Sequence, residues 1–223
     1  MERVTIQYFS DVLCVWAYVS QRRIDELQAT FGDRVCVDAH FVSVFGDAHG
    51  KLERGWSERG GAAGYSAHVR EVCARMGRPD VHDECWMKHT PRSSMAAHLY
   101  LAAVRVAEVD GALEPGSFDR ATRRLRTAFF EEARNVADHA EQRRIVESLG
   151  LSPDVIEERI ESGAAHASLS RDFDLVKNNG IAMSPTLLFN EGRQRLNGNV
   201  GYRVIEANVR ELLENAQIPA SWC

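Results

Sequence analysis

Strand patterning occurs only at the two ends of this chain. Val4, Ile6 and Tyr8 alternate with Thr5 and Gln7 near the start, and Val35, Val37, Ala39 and Phe41 alternate a little later. Period-two alternation is the mark of a strand with one face buried. Between these runs, Cys14 to about Phe31 carries Val19, Ile24 and Leu27 at helical spacing, and Gly32-Asp33 ends the segment. The chain therefore opens strand–helix–strand, the order of a parallel crossover unit. Strand signal returns only at Thr186–Asn190 and Arg193–Asn197, with Glu191-Gly192 between them as a tight hairpin turn. With the middle set aside, the two ends read as parts of one sheet; the alternative is an α+β protein with an unrelated helical domain.

The middle reads differently. Gly46 to Gly64 is rich in glycine and polar residues and is expected to be a loop. From Tyr65 to about Gly163 every pattern is helical. Ser93–Glu108 carries Leu99, Ala103 and Val106, and Ser117–Glu132 carries Phe118, Ala121, Leu125 and Phe129. Asp138 to Glu141 has the form of a capping box, and Ser152-Pro153 fit the cap and first turn of a further helix. Helices over Ser168–Asn179 and Gly201–Ala216 flank the late strands. The order is β-α-β, a helical block, then α-β-β-α. The division that follows puts residues 1–45 and 166–223 in one α/β domain and 46–165 in an inserted helical domain.

Bulk properties narrow the function. The 223 residues are 44% apolar, enough for a real core. Acidic residues outnumber basic ones, 32 to 27, for a net charge of −5 with both signs well mixed, so no nucleic-acid footprint is expected. No apolar run reaches the ~18 residues of a membrane span. The start, Met1-Glu2-Arg3-Val4-Thr5, has no apolar core of a secretion signal, and a cytoplasmic protein is expected. Five cysteines at 14, 36, 73, 85 and 223 form no C-x-x-C pair and no zinc-type ligand cluster. Thiols at rest, no metal site and no tightly bound cofactor are expected.

Cys14 is the candidate catalytic residue. It follows a strand and opens a helix, where unpaired N–H groups and the positive dipole end stabilise an anion. An ordinary cysteine, with a pKa near ~8.5, is only about 3% thiolate at pH 7, and such positions commonly lower that pKa. The plain alternative is an inert core cysteine. Trp16, two residues on, can shield the sulfur and offer a face to a substrate, or serve as ordinary core. Met183-Ser184-Pro185 precedes the late strand and is the candidate substrate-binding element, with the Ser184 backbone free to pair with an extended peptide.

These residues carry a likeness. Ser10-Asp11-Val12-Leu13-Cys14-Val15-Trp16-Ala17 resembles the active-site motif of the DsbA-like thioredoxin family, in the Ser-Asp-x-x-Cys-Pro-Trp-Cys form of its cytoplasmic FrnE-like branch. Thr127 to Asp138 is similar to that branch's helical-cap segment, and Ile181 to Asn190 to its cis-proline strand. The resemblance implies a thioredoxin-like fold with an inserted helical cap. It also implies a thiol-disulfide oxidoreductase acting on a disulfide-containing peptide or protein, or on a small thiol such as glutathione, with Pro185 cis. Ser10 and Asp11 flank the motif. Two departures matter: Val15 replaces the motif proline, and Ala17 replaces the second cysteine, so cycling within a C-x-x-C pair is excluded. Three routes stay open: glutathione as the resolving co-substrate, a distant cysteine such as the terminal Cys223, or thiol binding without turnover.

The neighbouring kappa-class glutathione transferases and 2-hydroxychromene-2-carboxylate isomerases share the cap and the proline loop but carry serine where this chain has Cys14. A glutathione-dependent transferase or isomerase is thus the alternative function, and a homodimer is an open expectation. Of the remaining residues, Cys73 and Cys85 are expected to pack in the cap, and His98 to be a satisfied core histidine. Cys36, Asp38 and His40 share a strand face, with packing favoured over metal binding. Arg120, Arg123, Arg124 and Arg126 are expected to form a solvated face.

Overall fold

The computed structural model describes residues 3–214. Four strands form one mixed sheet in the order β2-β1-β3-β4. The strands are β1 (Val4–Ser10), β2 (Val35–Phe41), β3 (Thr186–Phe189) and β4 (Gln194–Asn197). β1 pairs parallel with β2, from Val4 opposite Val35 to Ser10 opposite Phe41. β3 pairs antiparallel with β1, Tyr8 opposite Leu187, and β4 with β3. The two ends of the chain thus share one sheet.

Helix α1 (Val15–Phe31) crosses between β1 and β2. The inserted helices are α2 (Ala48–Trp56), α3 (Gly61–Arg75), α4 (Met95–Val109), α5 (Ser117–Phe130), α6 (His139–Glu147) and α7 (Pro153–Glu161). α8 (Ala164–Asn178) leads back to the sheet, and α9 (Tyr202–Glu214) closes the described chain. The caps read from sequence form as expected. Asp138 accepts from Glu141 N–H, and Ser152 from Val155 N–H with Pro153 in the first turn.

The sheet alternation sorts its faces. Ile6, Tyr8, Leu187 and Phe189 pack with Ile24, Leu27, Ile205 and Val209 of α1 and α9. Phe9 and Leu188 turn to the other face, beside Leu175 and Val176 of α8. The largest cluster is elsewhere. It joins Val12 to Val19, at the start of α1, with Val69, Leu101, Leu125 and Phe129 of the inserted helices and Trp86 of the segment between α3 and α4. The insertion and the active-site end of α1 share one continuous core.

Two expectations need correction. The stretch 46–64 is not a loop: it holds α2, a short 3-10 turn and the start of α3. Its glycines hide this by lowering helix propensity. Asp47 caps α2 by accepting from Gly50 N–H at 2.9 Å, and Ala48 and Leu52 are buried. At Gly64 a Cβ would lie 1.8 Å from the Arg59 carbonyl oxygen, so glycine is a steric requirement there. The second correction is the arginine run on α5. Arg123 pairs with Asp119 (2.6 Å) and with Asp25, and Arg126 is only 2% exposed. Arg126 lies beside Leu125, Phe129 and Phe130 on the inward face.

Candidate functional site

The site begins where β1 stops at Ser10. The next four residues turn sharply, with Cys14 N–H donating to Asp11 O at 3.1 Å. Cys14 then holds extended angles (φ −81°, ψ 117°) as the N-cap of α1, and its carbonyl accepts the first helical bond, from Tyr18 N–H at 3.0 Å. Its thiol donates to Ser184 O at 3.2 Å, bridging 170 residues of sequence. The Ser184–Pro185 peptide bond is cis. Pro185 O accepts from Gly198 N–H at 2.7 Å, which fixes the loop to the end of β4.

Asp11 organises this neighbourhood. It is fully buried. Its Oδ1 accepts from Leu13 N–H (2.9 Å), and its Oδ2 from Phe45 N–H and Ser94 Oγ–H, both at 2.8 Å. Its own N–H donates to Ser184 Oγ at 2.9 Å. One residue therefore joins the Cys14 turn, the proline loop, the segment after β2 and the start of α4. His98 of α4, with no exposed surface, accepts from Val12 N–H at 3.1 Å and lies 3.6 Å from Asp11 Oδ1. It is a core histidine that faces the active-site turn. Burial opposes ionisation of Asp11, but His98 and the N–H groups of Phe45 and Leu13 outweigh it and hold its pKa below the ordinary carboxylate range.

The Cys14 thiol runs opposite to the sequence expectation. Burial pushes its pKa up. The Ser184 hydroxyl and the N–H groups of Ala17 and Trp16 favour the anion, and the Asp11 charge disfavours it. The net shift is upward, so the resting state is a protonated thiol that donates to Ser184 O. The helix start alone does not set the sign, because the inserted helices bury the sulfur and the nearby carboxylate adds to its cost.

A cleft of about 560 Å³ opens over Cys14. Trp16, half-buried, and Met183, 54% exposed, stand on the α1 and proline-loop sides. Ala17 is fully buried and brings no second sulfur. Val15, also buried, borders the cleft. Sequence reasoning did not name the residues of the opposite wall: Phe45, Lys51, Trp56, Tyr65 and His68. Trp56 packs against both Tyr65 and His68 at 5.1 Å between ring centroids. Lys51 Nζ lies 5.0 Å from the centre of the Phe45 ring. Lys51 and Trp56 of this wall fall in the stretch read as a loop. The one available signal was the Tyr65/His68 spacing of three, with Trp56 nine residues earlier.

Among the cysteines, Cys73 is buried in α3, Cys85 is buried in the segment between α3 and α4, and Cys36 is half-buried on β2. Cys223 lies outside the described residues. Both ring nitrogens of His40 face carboxylates, Asp172 at 2.9 Å and Asp38 at 3.1 Å.

A strand-to-helix cysteine facing a proline loop, under a helical insertion, defines a thioredoxin-type thiol site. The family model of the DsbA-like thioredoxin domain matches residues 5–210. The chain belongs to the DsbA-like thioredoxin family. No curated protein matches it in sequence. Among solved structures, it is similar to a probable DsbA oxidoreductase from Streptomyces coelicolor (16% identity, 99% of this chain and 94% of that one, TM-score 0.73). It is also similar to the cytosolic disulfide reductase DsbM from Pseudomonas aeruginosa (20% identity, 92% and 98%, TM-score 0.68). A third likeness is to a 2-hydroxychromene-2-carboxylate isomerase (12% identity, 97% and 100%, TM-score 0.62). At these identities the likeness is one of fold. No described helix is long and apolar enough to cross a membrane.

Proposed function

We propose that this chain is a thiol-disulfide oxidoreductase that works through Cys14 alone, with glutathione as co-substrate. The observation that carries the reading is Cys14 Sγ on the floor of an open cleft, 3.2 Å from Ser184 O, with Ala17 buried where a second thiol would stand. The Cys14 thiolate attacks one sulfur of a disulfide RS–SR′. The S–S bond breaks, Cys14–S–S–R forms, and R′S⁻ leaves with the proton that Cys14 gave up. Glutathione then attacks the R sulfur, forms the glutathione–R disulfide and restores Cys14.

A thiol with a raised pKa is less often ionised but more nucleophilic once it is. Binding in the cleft offsets the small thiolate fraction by alignment. Ser184 and Pro185 offer backbone to the substrate, and Trp16 and Met183 its apolar walls. Lys51 has no carboxylate partner among the described residues and suits the carboxylates of glutathione. The reading is in line with DsbM, which has also been solved with GSH. The Ser-Asp-x-x-Cys motif supports a place beside the cytoplasmic FrnE-like branch, and with it a cytoplasmic site of action.

The test is turnover of a small disulfide by glutathione. Cys14→Ser abolishes it. Ala17→Cys supplies a second thiol that closes an internal disulfide with Cys14 and lowers the dependence on glutathione. If Cys14→Ser retains wild-type turnover, the reading fails.

One observation favours a second reading. The cleft wall is aromatic, with Trp16, Phe45, Trp56 and Tyr65, which suits a glutathione-dependent isomerase or transferase acting on an aromatic compound. That reading predicts glutathione binding by calorimetry without disulfide turnover.

A further inference from the structure

Arg126 stands apart from the other arginines of α5. Its guanidinium donates from Nη1 to Gln21 Oε1 at 2.6 Å and from Nη2 to Ser10 Oγ at 2.8 Å. Both acceptors are neutral, and Nε has no partner. A guanidinium has five N–H donors, of which these bonds use two. Among the described residues no carboxylate pairs with it, although only 2% of the residue is exposed. Arg123 has Asp119 and Asp25, Arg124 has Glu132, and Arg105 has Asp172. A buried charge without a counter-ion is strongly unfavourable, so the chain alone leaves this group incomplete.

Arg126 borders a cavity of about 440 Å³ between α1, α4 and α5, over the β1–β2 side of the sheet. That volume is within the range of small-molecule sites. None of its lining residues borders the Cys14 cleft. Ile24, Val37, Phe41 and Phe118 give it apolar walls. Its carboxylates are already engaged: Asp38 with His40, Asp119 with Arg123, and Glu108 with the N–H groups of Gly116 and Phe118. Arg126 is the group still lacking an opposite charge.

We propose that this cavity is a second binding site, for a small monocarboxylate with an apolar body, and that Arg126 is its counter-ion. The carboxylate takes the place of Gln21 Oε1, on a half-buried side chain whose amide already donates to Asp25 at 3.2 Å. One unpaired guanidinium matches one negative charge. A dianion such as phosphate would bring a second charge that no other lining cation is free to match, since Arg105 is held by Asp172 and His40 by Asp38 and Asp172. The apolar tail lies against Phe41 and Phe118.

The test uses hexanoate and its neutral analogue 1-hexanol, titrated into the full chain by calorimetry. Hexanoate binds one per chain, and hexanol at least about tenfold more weakly, the size expected for a hydrogen bond to a charged group. Arg126→Gln loses a similar factor for hexanoate, and Cys14→Ser binds it like the wild type. Thr122→Phe fills the cavity while Arg126 stays in place and abolishes binding, which keeps the test open if Arg126→Gln does not fold. No hexanoate binding to the wild type would overturn the assignment. So would equal affinity for hexanol, unchanged affinity in Arg126→Gln or Thr122→Phe, or loss of binding in Cys14→Ser.

Discussion

Asp11 places one negative charge inside the turn that presents Cys14. Its carboxylate holds Phe45 and Ser94, its N–H holds Ser184, and its charge disfavours the Cys14 thiolate. Asp11→Asn removes that charge, so the Cys14 pKa falls, and the midpoint of its alkylation rate moves to lower pH. The same change leaves a buried amide nitrogen facing donors and costs about 1–3 kcal/mol in chemical denaturation. An unmoved midpoint would show that Asp11 acts only as a structural tie. The candidate nucleophile was legible from one strand, one helix start and one late Ser-Pro. The sign of its pKa shift was not, because it depends on burial by residues more than 30 positions away and on a carboxylate whose partners come from the segment after β2 and from the start of α4.

At the scale of elements, β2 is an edge strand held by charge. Asp172 of α8 accepts from Phe41 N–H (3.1 Å) and pairs with His40 (2.9 Å) and Arg105 of α4 (2.9 Å). Burial opposes a charge on His40, but Asp172 and Asp38 raise its pKa to about 9. A raised folded pKa stabilises fully below the unfolded value near ~6.5 and is lost as pH rises through the folded one. Stability is therefore expected to fall between pH 6.5 and about 9 by on the order of 3 kcal/mol. Thermal melts of the wild type and His40→Gln check this: the variant is less stable at pH 6.5, and its profile is flat across the window. Parallel profiles would contradict the assignment. α6 and α7 were readable from cap and first-turn residues together, Asp138 with Glu141 and Ser152 with Pro153. α2 was not, because Gly50 and Gly55 mask a helix whose stability comes from Ala48 and Leu52 packing into the distant core.

At the scale of the whole molecule, the two ends of the chain build the sheet, and the inserted helices supply the far wall of the cleft. The alternation of β1 and β2, with the late strand pair, gave the topology, and the helical block between them gave the insertion. The boundaries at 45 and 165 describe sequence character rather than separate cores, since Val12 to Val19 pack into the same cluster as α3, α4 and α5. The particular residues of the aromatic wall could not be picked out for the same reason: Trp56, Tyr65 and His68 line the Cys14 cleft only once the insertion has docked. The central claim is that this docked cleft makes Cys14 the one cysteine that exchanges with a bound disulfide. Its most direct test is the rate of mixed-disulfide formation with oxidised glutathione, resolved by cysteine with mass spectrometry, across concentration and pH. The account predicts modification at Cys14 that saturates with concentration and speeds up with pH beyond ~8.5, the ordinary thiol value. Modification spread over Cys36 and the other cysteines, rising linearly with concentration and leaving Cys14 no faster than the rest, would contradict it.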